Sequence, residues 1–188
     1  MAKPRMVYIS NATEFGTVYT NMTLSDILEL TDIFWIGGTK NGALLGEVVV
    51  VKDPKLASEF EFFVKRHESL LAKSRMMGAQ FAELFRDNLY FELALHANAS
   101  VEKLSSGITD AGFSVYVATE TNQVFAVLPL PLISTLQEKF SFYVWEKCGD
   151  GQAVVRLLTT WATQEKKIEE FIGVVRRWGK PSEVRALF

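Results

Sequence analysis

A lysine delivered by a double glycine and an arginine set inside an apolar strand are the two residues of this chain best placed for chemistry. The first is Lys40, in the run Ile33-Phe34-Trp35-Ile36-Gly37-Gly38-Thr39-Lys40-Asn41-Gly42. An apolar strand runs into the two glycines, a small-residue turn follows, and a second apolar strand spans Val48 to Val51. An amine on a tight, partly buried turn is poorly hydrated, and desolvation disfavours its charged form. A neutral amine can attack a carbonyl, so the chemistry on offer is condensation with an aldehyde. The plainer alternative is a solvated lysine at a strand end. A phosphate-binding P-loop is excluded, because the order here is Gly-Thr-Lys and no glycine stands at the earlier position that motif needs. The second residue is Arg156, within Val154-Val155-Arg156-Leu157-Leu158. Its planar fork suits a carboxylate, and a buried arginine needs a carboxylate or carbonyls to take its donors. Strand alternation leaves the other outcome open, in which Arg156 points to solvent.

The elements that must position these residues follow from spacing. Val7 to Ser10 reads as a short strand and 11–17 as a loop. Thr23 followed by Asp26 is a capping signature for a helix through about Leu30. Strands then flank the lysine turn, closed by Asp53-Pro54, and strand, helix and strand in close succession suggest an α/β layer. From Leu56 to Phe85 apolar residues recur at Phe60, Phe63, Leu70, Met77, Phe81 and Leu84, which predicts one long helix with a possible break near Gly78. A second helix is predicted from about Leu89 to Ile108. Strand-like runs at 113–118, 124–128, 140–146 and 154–160, with Pro131 opening a helix and a last helix over 164–178, predict an α+β lobe. Its sheet should be mostly antiparallel, of about four strands, with helices on one side.

Composition narrows the function classes. Hydrophobic residues make up 48% and charged residues 22%, which argues against a disordered chain. A net charge of −2 gives no electrostatic case for nucleic acid. Fourteen phenylalanines and four tryptophans imply a well-filled core or surface that a partner covers. Cys148 is the one cysteine, which rules out an internal disulfide and fits a reducing, cytoplasmic setting. No apolar run is long enough for a membrane span. His67 and His96 lack metal-like spacing, so no metal site is expected.

Four segments in order carry a resemblance. Ile36 to Gly42 is similar to the cofactor-lysine segment of threonine aldolases, in the pyridoxal-phosphate-dependent group of aromatic amino acid beta-eliminating lyases and threonine aldolases. The run 7–19 resembles an upstream strand and loop of that family. Leu70-Leu71-Ala72-Lys73-Ser74-Arg75-Met76-Met77-Gly78 resembles its helix after the cofactor lysine, and 153–161 resembles a C-terminal strand with a carboxylate-binding arginine.

The resemblance implies a partial pyridoxal-phosphate transferase-like fold, α/β plus α+β. Residues 1–55 would be a large-domain remnant with the lysine strand and turn, 56–86 a long connecting helix, and 87–188 the small C-terminal domain. It implies pyridoxal phosphate on Lys40, with Thr39, Asn11 and Thr13 near the cofactor. Lys73 and Arg75 would lie within reach of its phosphate, or simply in solvent, and Arg156 would hold a substrate carboxylate. The implied activity is retro-aldol cleavage of a β-hydroxy amino acid, such as threonine, to glycine and an aldehyde. Compared with the family, the chain reads as N-terminally truncated and internally shortened. None of Asp26, Asp32, Asp53, Asp87, Asp110 or Asp150 ends an apolar strand ahead of Gly-Ala-Arg, where the family's ring-nitrogen aspartate would be expected. An impaired enzyme, or a non-catalytic remnant working through self-association or a full-length paralogue, are the two expectations. A homodimer or larger species is expected in either case.

Overall fold

The computed structural model describes residues 16–18 and 23–179. The chain divides into two compact units, 20–95 and 1–19 together with 96–188. They are called here the lysine unit and the arginine unit. The strand expected at Val7–Ser10 lies outside the described residues.

The lysine unit opens with α1 (Leu24–Leu30), whose start is set by a reciprocal cap. The Thr23 hydroxyl accepts from the Asp26 N–H at 3.2 Å, and the Asp26 carboxylate accepts from the Thr23 N–H at 2.6 Å. Hydrogen bonds from the Thr23 hydroxyl and backbone hold the Asp26 carboxyl below its ordinary range. Strands β1 (Ile33–Gly37) and β2 (Glu47–Val51) then pair antiparallel, Ile33 opposite Val51 and Gly37 opposite Glu47. The strand–helix–strand run behind the expected α/β layer begins at 7–10, outside the described residues; β1 and β2 themselves form an antiparallel hairpin. Only the turn 38–46 joins the strands, too short for the crossover that a parallel pair requires.

The helix predicted as one rod over 56–86 is three pieces: α2 (Pro54–Ala57), α3 (Phe60–Arg66) and α4 (Arg75–Leu84). The breaks fall at Ser58–Glu59 and after α3, where Glu68 adopts φ 57°, and not at Gly78, which lies inside α4. The apolar pattern misled because its members between the pieces bury little. Leu70 and Leu71 are 50% and 52% exposed, so no core contact holds that stretch helical. A short 3₁₀ turn (Arg86–Asn88) leads into α5 (Leu89–Asp110). The small core of the lysine unit joins Ala43, Phe81 and Leu84, with Val48, Tyr90 and Leu93 packed against them. The boundary between the units falls inside α5, after Leu95.

The arginine unit is built on a four-stranded antiparallel sheet in the order β3-β4-β6-β5. The strands are β3 (Ser114–Val115), β4 (Gln123–Pro129), β5 (Tyr143–Lys147) and β6 (Gln152–Leu158). Helix α6 (Leu130–Gln137) has Pro131 in its first turn, where a missing N–H costs nothing. Helix α7 (Glu165–Gly179) buries Ile168, Phe171, Ile172, Val174 and Val175. Alternation then sorts the sheet. Val124, Ala126 and Leu128 of β4 and Ala153, Val155 and Leu157 of β6 join the core with α5, α6 and α7. The α+β lobe is therefore as the sequence predicts. No helix among the described residues is long and apolar enough to cross a membrane.

Helices α5 and α7 approach closely at Gly107. A Cβ built there would lie 2.5 Å from Ile172 Cδ1, with two more Ile172 carbons inside 3 Å. Gly107→Ala should therefore destabilise the protein by about 1–3 kcal/mol through overpacking. Gly78, with nothing within 4 Å of an added Cβ, makes the contrast. Gly78→Ala in the interior of α4 should stabilise by about 0.5–1 kcal/mol. Urea unfolding of the two variants beside the parent chain measures both signs.

Candidate functional site

The lysine turn is built by what its glycines allow. Gly38 is buried, and a Cβ there would collide with the Phe81 ring and with Ala43. The Gly38 carbonyl accepts from the N–H groups of both Asn41 and Ala43 at 3.0 Å, which closes the turn. Gly42 continues it at φ +100°, a conformation that other residues adopt only with strain. Two bonds then clamp the turn to the first turn of α5. The Asn41 side-chain amide donates to the Tyr90 carbonyl at 2.6 Å, and the Tyr90 hydroxyl donates to the Gly37 carbonyl at 2.8 Å. A third bond, from the Leu44 N–H to Gln80 Oε1 at 2.7 Å, ties the turn to α4.

Lys40 stands at the outer apex of this turn. Its side chain is exposed, and so is that of Thr39. The expectation of a partly buried amine is corrected here. Gly38 and Ala43 take the inward positions against Phe81, and Thr39 and Lys40 are turned out. Neither Thr39 nor Lys40 has a side-chain hydrogen bond among the described residues. Lys73 lies in the bend ahead of α4 and Arg75 is the first residue of that helix, both exposed. The lysine unit thus carries Thr39, Lys40, Lys73 and Arg75, with the lysine turn packed on the helix that Arg75 opens. Asn11 and Thr13 lie outside the described residues. As a donor set for pyridoxal phosphate these residues fit in kind: an amine for the aldehyde, a hydroxyl and two cations for the phosphate.

Arg156 belongs to the arginine unit, on the sheet face opposite the helices. It pairs with Phe125 in β4 and Tyr143 in β5. It is half-buried, so neither full burial nor free solvation holds. Its Nε–H donates to Gln123 Oε1 at 2.7 Å, and its Cζ lies 5.5 Å from the centre of the Trp145 ring. No carboxylate of the described residues lies within ion-pair distance of it. Its terminal nitrogens have no hydrogen-bond partner among those residues. Gln123, Trp145 and Tyr90 were not singled out in the sequence. The first two become visible only through the strand register, and Tyr90 only through the return of α5 to the turn.

Elsewhere, His96 Nε2 sits 2.8 Å from the Thr163 carbonyl and Cys148 is half-buried. Among the described residues no three His, Cys, Asp or Glu side chains come together as metal ligands would.

No family model matches the chain. It is 30% identical to a low specificity L-threonine aldolase from a Pseudomonas species, over 93% of this chain and 60% of that protein. A second protein of that name, from Pseudomonas aeruginosa, is 28% identical with the same coverage. The chain thus spans about 60% of the length of these relatives. The matched stretch runs over 210 positions, more than the 188 residues present, so the relatives carry internal residues that this chain lacks. Among solved structures, a threonine aldolase from Leishmania major superposes with a TM-score of 0.79 at 36% identity. That match covers 85% of this chain and 47% of the other. A serine palmitoyltransferase from Sphingomonas wittichii superposes with a TM-score of 0.57 at 12% identity, over 81% and 41% of the two chains, a likeness of fold alone.

The Tyr90 clamp makes a pH-dependent prediction. Burial raises the Tyr90 hydroxyl above its ordinary value of 10.0. A raised folded-state value stabilises fully below the unfolded value and is lost as pH rises through the folded one. Tyr90→Phe should cost about 1 kcal/mol at neutral pH. The loss of stability above about pH 10 should also be shallower in the variant. Thermal melts from neutral to alkaline pH check both.

Proposed function

We propose, from the premise that this chain belongs to the threonine aldolase family of pyridoxal-phosphate-dependent proteins, that Lys40 is its cofactor lysine and Arg156 its substrate-carboxylate residue. The reaction class is retro-aldol cleavage of a β-hydroxy amino acid, threonine being the simplest such substrate, to glycine and an aldehyde. The observation that carries the reading is the state of Arg156: half-buried, held at Nε, its charge and terminal nitrogens unspent. A guanidinium so placed is suited to end-on, bidentate binding of an α-carboxylate.

Pyridoxal phosphate, when bound, supplies an electron-withdrawing ring that takes up the electron pair released as the Cα–Cβ bond breaks. The chain supplies the rest. The Lys40 amine would hold the cofactor at its aldehyde and, when not so engaged, could carry a proton. Thr39, Lys73 and Arg75 would hold the phosphate by hydrogen bonding and charge, with Asn11 and Thr13 contributing from the upstream segment. Arg156 fixes the carboxylate and so selects amino acids over simple amines. A cytoplasmic setting and a role in amino-acid metabolism accord with the single cysteine and with this substrate class.

Lys40's exposure favours a second reading, in which the chain no longer catalyses and acts by associating with itself or with a longer paralogue. Leu44 beside the lysine is 83% exposed and Phe62 of α3 is 76% exposed, which supports a covering partner.

Adding pyridoxal phosphate to the purified protein separates the readings. A visible absorption band that is absent in Lys40→Ala, with a borohydride-fixed adduct mapped to Lys40 by mass spectrometry, is the outcome expected of the first. A well-folded chain with no band and no adduct supports the second. In size-exclusion chromatography the chain should run as a dimer or larger at micromolar concentration. A monomer would contradict the self-association expected in both cases.

A further inference from the structure

We infer that Gln123 and Trp145 are positioning residues for Arg156, orienting its guanidinium while leaving its charge available to an anionic ligand. This rests on reading Arg156 as a carboxylate site, and adds how that site is tuned. Three strands contribute. Gln123 and Phe125 project from β4 on the same face, two residues apart, and Phe125 is the direct partner of Arg156. The Gln123 amide oxygen takes the Nε–H at 2.7 Å. Strand β5 carries a bulge at Trp145: Val144 pairs with Val155 and Glu146 with Val154, leaving Trp145 as the extra residue. The indole is fixed in turn by edge-to-face packing on the buried Phe125 ring, with centroids 5.4 Å apart and planes at 84°. Arg156 Cζ then lies 5.5 Å from the indole centre, within cation–π range.

The chemistry of the two partners matters more than their number. A carboxylate at position 123 would orient the fork equally well and would also neutralise it. The neutral amide uses one N–H and no charge. The indole face stabilises the cation through its π-system and leaves the in-plane donors free. With Nε–H occupied, the donors that remain are those of the two terminal nitrogens, the end-on edge that matches two carboxylate oxygens.

The test is nuclear magnetic resonance of ¹⁵N-arginine-labelled full chain, loaded with pyridoxal phosphate and titrated with glycine as a non-cleavable α-carboxylate. In the parent chain Arg156 Nε–Hε should exchange slowly, and glycine should shift the Arg156 signals. Gln123→Leu should speed that exchange and weaken glycine by about tenfold, the scale of one hydrogen bond to a charged group. Gln123→Glu should keep Nε–Hε protected yet weaken glycine at least as much, because the new carboxylate competes. That split of orientation from charge is not expected of a residue that merely stabilises the sheet. Trp145→Leu should weaken glycine several-fold, as loss of a cation–π contact does. Should Gln123→Leu prove unfolded by circular dichroism, the Gln123→Glu arm alone decides. Glycine binding unchanged in Gln123→Glu overturns the inference and leaves the reading of Arg156 standing. If glycine shifts no Arg156 signal in the parent chain, the reading and the inference fall together.

Discussion

Placing a guanidinium in the central strand of an apolar sheet is the constraint around which the arginine unit is organised. Residues 153, 155 and 157 of β6 face the helices and are fully committed to the core, so alternation sends Arg156 to the other face. There it cannot be fully hydrated, and a partly dehydrated charge needs compensation. The sheet supplies it across both neighbouring strands, with an amide from β4 and an indole from a bulge in β5. Neither partner is charged. An ion pair would satisfy Arg156 more strongly and leave it nothing to offer a ligand, so its local environment is orienting without being neutralising.

A different economy governs the lysine turn. Here the side chain of interest is unconstrained while the backbone beneath it is fixed at several points. Gly38 lets the chain come down on the Phe81 ring, its carbonyl collects two N–H groups, and Tyr90, Asn41 and Gln80 secure the flanks. Lys40 is thus presented on a rigid mount, its amine without a hydrogen bond among the described residues. Under the proposed reading the cofactor would need an amine at a defined place, and this mount would hold one. Low hydration of that amine, which would make it a better nucleophile, is not a property of the described residues themselves.

Much of the fold was legible because local rules and packing agree. The Thr23–Asp26 cap, the first turn of α6 with Pro131 in it and the amphipathic α7 all formed where spacing and cap chemistry place them. The four-stranded sheet followed from short apolar runs separated by turn residues. The segment 56–86 failed because helical spacing reports a possible apolar face and not whether anything covers it. Leu70 and Leu71 meet no core, and Glu68 takes a left-handed conformation that ends the helix.

Glycine at 37 and 38, lysine at 40 and arginine amid valines and leucines are facts of covalent order, and with the family likeness they fixed which groups to regard as chemical. Order along the chain could not say which face Arg156 would take, because both faces of a strand are consistent with a period of two. Nor could it name Gln123 and Trp145, which lie 33 and 11 positions away and reach the guanidinium only through strand register and a one-residue bulge. Tertiary structure decided those points, since hydrogen bonds and ring contacts depend on distance in space, and pairing between strands brings remote residues within that distance.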